Sequence, residues 1–313
     1  MSVNEPTIEA STSEHDGSKK KDVLTPRPET PSQIAFGIME RISAQGIDER
    51  KVQETKKIIA TYQETRSVKA AFVEVARERT RADNIWCGIN GVGIHMAEQA
   101  FFEHLLNQPN LTPDQILVYS HIRDQSSILK TSRDAIRRLL IADAATDPGL
   151  YDGSAGVQAS QKVPLGLDSS RISRYLDAEI TRRLLSSVQE ISASQGLWQG
   201  IAEQQALVYA VSVPENLRKP IDDEFFNAGG NEMKKNIDDL VSLSAGAETL
   251  ASTTDTEDAN KRFLKIVGTA TMAQGYLEHM HYYAGAMLLG KFEANGNQLT
   301  DEQRRALTPN RSK

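Results

Sequence analysis

Acid and base side chains near the C-terminal end share one side of a predicted helix. Glu278 and His281 stand three positions apart, so a helix places a carboxylate and an imidazole on the same face. Helical di-iron bundles use this spacing, but they require it twice, together with two further glutamates. His95 and Glu98 have the reverse order and therefore do not supply a second copy. We predict no bound metal and no cofactor.

Three other features resemble reactive or phosphate-binding motifs in composition alone. The order Gly88-x-x-Gly91-x-Gly93 lacks the preceding strand and the lysine of phosphate-binding loops, so close helix packing or a kink is the better interpretation. Cys87 lies in an apolar stretch and is interpreted as a small buried side chain. Ser154 lies in a predicted loop without the strand-to-helix elbow that exposes a nucleophile. We therefore expect that the protein is not an enzyme.

Basic residues are the more suggestive candidates for a binding surface. Lys130, Arg133 and Arg137 follow an i, i+3, i+7 spacing, which places them on one face of a helix. Guanidinium groups arranged in this way can form paired hydrogen bonds with phosphates. The candidate nucleic-acid-binding residues are Arg123, Lys130, Arg133, Arg137, Arg171 and Arg174. The alternative is a solvated helix face on which nearby aspartates balance the charge.

Composition excludes several classes of protein. The net charge of −6 over 313 residues does not favour wholesale coating of nucleic acid, although it permits a local basic face. A single cysteine cannot form an internal disulfide or a cysteine-based zinc site, which fits a reducing compartment. No segment approaches the roughly 18 uninterrupted apolar residues of a membrane span. We expect a cytoplasmic or virion location and no membrane partner.

The spacing of apolar residues predicts an all-α fold. Runs of β-branched and aromatic residues are few, whereas isoleucines recur every four positions at Ile34, Ile38 and Ile42. Gly46 is interpreted as the end of that first helix. The predicted helices cover about 31–46, 48–64, 68–80, 82–107, 113–145, 168–194, 197–212, 231–243 and 256–290.

The helix predicted after Leu111 has the clearest boundaries. Thr112 is placed to cap it and Pro113 occupies its first position. Alternating steps of four and three then define a heptad-like seam: Val118, Ile122, Gln125, Leu129, Ser132, Ile136 and Leu139. The sequence leaves open whether this seam packs within one chain or between chains.

Proline, glycine and polar residues mark the predicted boundaries. We expect a disordered tail (1–30), an N-terminal helical lobe (31–145), a linker (146–167), a C-terminal helical lobe (168–293) and a polar tail (294–313). The expected architecture is two helical lobes with long central helices.

The absence of an enzyme motif, together with long helices and basic stripes, favours a structural role. We expect a non-catalytic assembly protein that forms homo-oligomers and contacts nucleic acid, as viral coat, nucleocapsid or phage DNA-packaging proteins do. One alternative is a helical-bundle metal protein or enzyme that uses Glu98, Glu278 and His281. The other is a protein–protein adaptor that does not bind nucleic acid.

Overall fold

The described part of the chain is helical throughout. The computed structural model describes residues 31–80, 85–146, 186–213 (except 188 and 192) and 256–308. Within these ranges 89% of the residues are helical and no strand is present, which confirms the all-α prediction. The predicted tail 1–30, nearly all of the linker 146–167, helix 231–243 and most of helix 168–194 lie outside the described residues.

Seven helices make up the described architecture. In chain order they are α1 (Pro31–Thr65), α2 (Val68–Thr80), α3 (Ile85–Leu106), α4 (Pro113–Thr146), α5 (Gln195–Ser212), α6 (Thr256–Ala294) and α7 (Asp301–Leu307). Among the residues that the structure describes, none of these helices is both long and apolar enough to cross a bilayer.

The first helix is longer than the sequence predicts. It continues through Gly46, so the prediction of a helix end there is wrong. Ser43 and Ile47, on either side of the glycine, are both buried. A glycine inside a helix costs about 1 kcal/mol, whereas burying one isoleucine contributes about 1.5–3 kcal/mol. Packing on this side of α1 therefore outweighs the cost of the glycine.

The beginning of α4 confirms its predicted cap. The Thr112 hydroxyl accepts a hydrogen bond from the Gln115 amide N–H at 3.2 Å, and the Gln115 side chain accepts one from the Thr112 N–H at 2.9 Å. This reciprocal pair satisfies two N–H groups that a helix start leaves unpaired. Pro113 occupies the first helical position, as predicted.

The heptad-like seam of α4 packs within one chain. All seven of its members are buried: Val118, Ile122, Gln125, Leu129, Ser132, Ile136 and Leu139. Contacts to α6 pair Ser132 with Gln274 and Ser126 with His281, so the two helices run antiparallel. Of the two alternatives left open by the sequence, the structure supports intramolecular packing.

One hydrophobic core draws on both predicted lobes. Phe72 and Phe102 from the N-terminal part pack in the same cluster as Leu288 and Phe292 of α6. Leu307 joins this cluster from α7, a short helix inside the segment predicted as a polar tail. In the described residues, the two predicted lobes therefore share a core.

Glycines in α3 and α6 mark places of close helix packing. A Cβ on Gly93 would lie 2.7 Å from the Ile47 carbonyl oxygen of α1, and one on Gly285 would lie 2.8 Å from the Phe72 ring. Both distances are too short for a side chain to fit without movement of its neighbour. The interpretation of the α3 glycines as packing residues is confirmed at Gly93.

Alanine substitutions at two helical glycines should have opposite effects. Gly93→Ala is expected to destabilise the protein by about 1–3 kcal/mol, because the new methyl group overlaps the backbone of α1. Gly200→Ala on α5 meets no atom within 4 Å and should be neutral or stabilising by up to about 1 kcal/mol. Urea unfolding of both variants measures the difference. Equal effects would show that α1 and α3 are not in close contact at Gly93.

Candidate functional site

Acid and base side chains of α3 and α6 meet in the centre of the bundle. His95 Nε2 lies 2.9 Å from Glu278 Oε1, and His281 Nε2 lies 2.6 Å from Glu98 Oε1. Both pairs join residues 183 positions apart, so the two helices run parallel at this level. All four residues are buried. His95 and Glu98 occur in the order opposite to Glu278 and His281. On parallel helices this reversed order brings each histidine opposite a glutamate.

Glu278 has further hydrogen-bond donors on both of its oxygens. Arg133 Nε of α4 donates to Glu278 Oε1 at 2.8 Å, and the Arg133 Nη2 group donates to the second oxygen. Gln274 also donates to Glu278 Oε1, at 2.8 Å, and is itself held by the Ser132 hydroxyl. A Cβ at Gly91 would lie 3.3 Å from Arg133 Nε, so the glycine makes room for the guanidinium.

The polar contacts continue from His281 towards α5. His281 Nδ1 lies 3.0 Å from Gln125 Oε1, and that oxygen accepts a hydrogen bond from Gln205 Nε2 at 3.2 Å. The Ser126 hydroxyl lies 3.3 Å from His281 Nε2. Buried or partly buried polar side chains from α3, α4, α5 and α6 therefore form one connected group, here called the interior polar cluster. It consists of His95, Glu98, Gln125, Ser126, Ser132, Arg133, Gln205, Gln274, Glu278 and His281.

The interior polar cluster pairs its charged groups with one another. Glu278 is neutralised by Arg133, and Glu98 lies against the imidazole of His281. Among the residues that the structure describes, no three His, Cys, Asp or Glu side chains are placed to hold a metal ion together. The two His–Glu contacts link α3 to α6 at a single register.

A neighbouring histidine makes the core sensitive to acid. Burial, with a smaller electrostatic contribution from nearby His281, lowers the pKa of His121 on α4 to about 3. The folded protein therefore favours the neutral ring far below the usual histidine pKa of roughly 6.5. An unfolded chain would take up this proton as the pH falls below about 6.5, whereas the folded chain would not.

Stability should consequently fall between pH 6.5 and pH 3. We expect a loss approaching about 1.4 kcal/mol per pH unit from His121, somewhat reduced because the residue is only partly buried. Urea unfolding at pH 7.5, 6.0 and 5.0 measures the slope. In His121→Gln the slope should be shallower. An unchanged slope in that variant would assign the acid sensitivity to other groups.

The predicted basic residues do not form a single solvated stripe. Arg133 points into the interior polar cluster, and Arg137 is only 8% exposed. Arg137 donates hydrogen bonds to Asp134 Oδ1 at 2.8 Å and to the Ser43 hydroxyl at 3.2 Å. Two of the three residues predicted to share a face thus have internal partners.

The remaining basic candidates are placed differently. Arg123 is partly exposed and donates to Asp124 Oδ1 at 2.7 Å, while Lys130 is partly buried on the same helix. Arg171 and Arg174 lie outside the described residues. Nucleic-acid binding by these residues stays a prediction, for which the surface offers Arg123 and Lys130.

An apolar surface lies on one side of α1. Ile34, Ile38, Ile42 and Val52 are exposed by 47%, 43%, 46% and 51%, respectively. At about 100° per residue, the four side chains fall within about 80° of the helix circumference. The opposite side of α1 is buried and includes Ile58. These four residues are called the α1 apolar surface.

Comparison with known proteins yields no match. No protein-family model matches the chain, and no curated protein or solved structure matches it. Functional inference therefore rests on the geometry of this chain alone.

Proposed function

We propose that this chain is a non-catalytic assembly protein that self-associates and contacts nucleic acid. The observation that carries the proposal is the α1 apolar surface, on which three isoleucines and a valine are each about half exposed. A helix side that exposes several large apolar side chains is suited to an interaction, because each side chain that becomes fully buried contributes up to about 1.5–3 kcal/mol. The cytoplasmic or virion location belongs to the same proposal.

The surroundings of the α1 apolar surface also suit an interface. Arg41, Gln45, Asp48 and Glu49 are exposed on the same side of α1, between Ile38 and Val52, and carry both signs of charge. Protein interfaces commonly combine apolar contacts with hydrogen bonds and charged pairs. The seam of α4 is occupied within the chain, so α1 supplies the better surface for self-association.

The interior polar cluster supports a structural role. Its acids and bases are buried and face one another, which leaves them out of contact with a substrate in solution. Each supplies a link between helices: Glu278 joins α6 to α3 and α4, and His281 joins α6 to α3. Such a network suits a protein that must hold one shape while it assembles.

Light scattering after size exclusion tests self-association. The full chain should elute as a species larger than a monomer, with a mass that rises with concentration. Ile38→Glu should shift it to the monomer, because a carboxylate would be buried in the interface. Leu207→Glu, at a side chain 53% exposed on α5, is the matched control and should leave the mass unchanged. A monomeric wild-type chain at all concentrations would overturn the proposal.

A salt series tests the contact with nucleic acid. Arg133 and Arg137 are unsuitable for substitution because both have internal partners, so the variant is Arg123→Gln with Lys130→Gln. Wild-type affinity should fall steeply with salt, and the double variant should reduce the salt slope by at most about two units. The absence of wild-type binding at low salt would remove nucleic acid from the proposal and favour a protein–protein adaptor.

The residues of the metal-protein alternative lie close together, although in the described part of the chain no three of them are placed around one metal ion. Glu98, Glu278 and His281, the residues which that alternative uses, are brought together in the core with His95. Elemental analysis of the purified full chain decides the question. Iron, manganese or zinc near one atom per chain would show that the interior polar cluster binds a metal, and would overturn its purely structural role. Trace amounts would leave the assembly proposal in place.

A further inference from the structure

We propose that two copies of this chain associate through antiparallel α1 helices that cross near Gln45. This inference rests on the proposed self-association and specifies its partner and geometry. The partner is a second copy of the same chain, which presents the same surface. Two identical surfaces related by a twofold axis form the commonest kind of closed dimer.

The order of charges along α1 favours the antiparallel arrangement. Arg41 precedes Gln45 by four residues, and Asp48 and Glu49 follow it by three and four; all four side chains are exposed. An antiparallel crossing near Gln45 brings Arg41 of each copy within about one helical turn of the acidic pair of the other. A parallel, in-register crossing would instead bring Arg41 beside Arg41 and the acidic residues beside each other, which is unfavourable.

Two of the apolar residues have the matching distribution. Ile38 lies seven residues before Gln45 and Val52 lies seven residues after it. An antiparallel crossing therefore places Ile38 of one copy and Val52 of the other on the same side of the crossing, two turns from it. Ile42 lies close to the crossing itself. Ile38 and Val52 thereby cover each other, and twofold symmetry repeats this contact, whereas Ile34 lies farther out, eleven residues before Gln45.

Charge reversal with rescue tests the pairing. Arg41→Glu alone, and Asp48→Lys with Glu49→Lys, should each raise the dimer dissociation constant about three- to ten-fold, since symmetry repeats the altered contact. The three substitutions together should restore the dissociation constant to within about two-fold of the wild type, because attraction is re-established with the signs exchanged. Sedimentation equilibrium of the full chain measures all four proteins.

Two controls separate the possible outcomes. Arg305→Glu on α7 makes the same change of charge at another exposed position and should leave dissociation unchanged. Circular dichroism should show equal helix content in every variant. Additive weakening in the combined variant would overturn the antiparallel pairing while leaving self-association intact. A monomeric wild type would overturn both the pairing and self-association. If Ile38→Glu lowered stability without changing the mass, the α1 apolar surface would instead pack against another segment of the same chain.

Discussion

Replacing Arg133 with leucine is expected to lower the free energy of unfolding by about 3–5 kcal/mol. The guanidinium donates to both oxygens of Glu278, a carboxylate buried between α3, α4 and α6. Without it, this buried carboxylate would lose the guanidinium that pairs with both of its oxygens. Urea unfolding monitored by circular dichroism measures the loss.

A double-mutant cycle identifies the origin of that loss. Glu278→Leu combined with Arg133→Leu should be less destabilising than the sum of the two single changes, because no unpaired ion remains. Arg123→Leu is the matched control: it breaks a partly exposed pair with Asp124 and should change stability by less than about 1 kcal/mol. Arg133→Leu with an effect as small as Arg123→Leu would show that the interior polar cluster is not formed.

Leu129→Ala should destabilise the protein by about 2–5 kcal/mol. Leu129 is completely buried in the seam of α4, and its backbone carbonyl accepts a hydrogen bond from Gln274 at 3.0 Å. Truncation leaves a cavity that rigid helix packing cannot fully close.

The control for Leu129→Ala is the same substitution at an exposed leucine. Leu207→Ala, at a side chain 53% exposed, should change stability by less than about 0.5 kcal/mol. Assembly mass should be the same for both variants. If Leu129→Ala instead reduced the assembly mass and left monomer stability unchanged, the seam would be a contact between chains.

Features that depend on neighbouring residues in the sequence could be predicted from the sequence. The cap at Thr112, the proline at the start of α4 and the four-three spacing of its seam are all visible in consecutive residues, and the structure bears them out. The predicted helix end at Gly46 is wrong because tertiary packing decides whether α1 continues through this glycine. Burial of Ile47 against another helix outweighs the local penalty of the glycine.

The interior polar cluster required information that spacing alone does not contain. The reversed order of His95 and Glu98 is a mismatch for a second copy of Glu278-x-x-His281. It becomes a match once α3 and α6 run parallel, and helix direction depends on the path of the intervening chain. A search for inverted pairs at equal spacing on separate helices would have detected this signal.

The exposure of the predicted basic residues could not be predicted from the sequence of α4 alone. Lys130, Arg133 and Arg137 do share a side of α4, as their spacing requires. Whether that side meets solvent depends on what packs against it: Glu278 of α6 pairs with Arg133, and Ser43 of α1 contacts Arg137. Arginine reaches such partners through a long apolar stem, so its charge does not by itself predict exposure.

Sedimentation equilibrium of the full chain, alone and as Ile38→Glu, tests self-association through α1. Self-association through α1 predicts that the wild type reaches at least twice the mass of one chain as concentration rises, while the variant stays at the mass of one chain with unchanged helix content. A wild type that remains at the mass of one chain, or a variant that assembles as well as the wild type, would show that α1 does not mediate self-association.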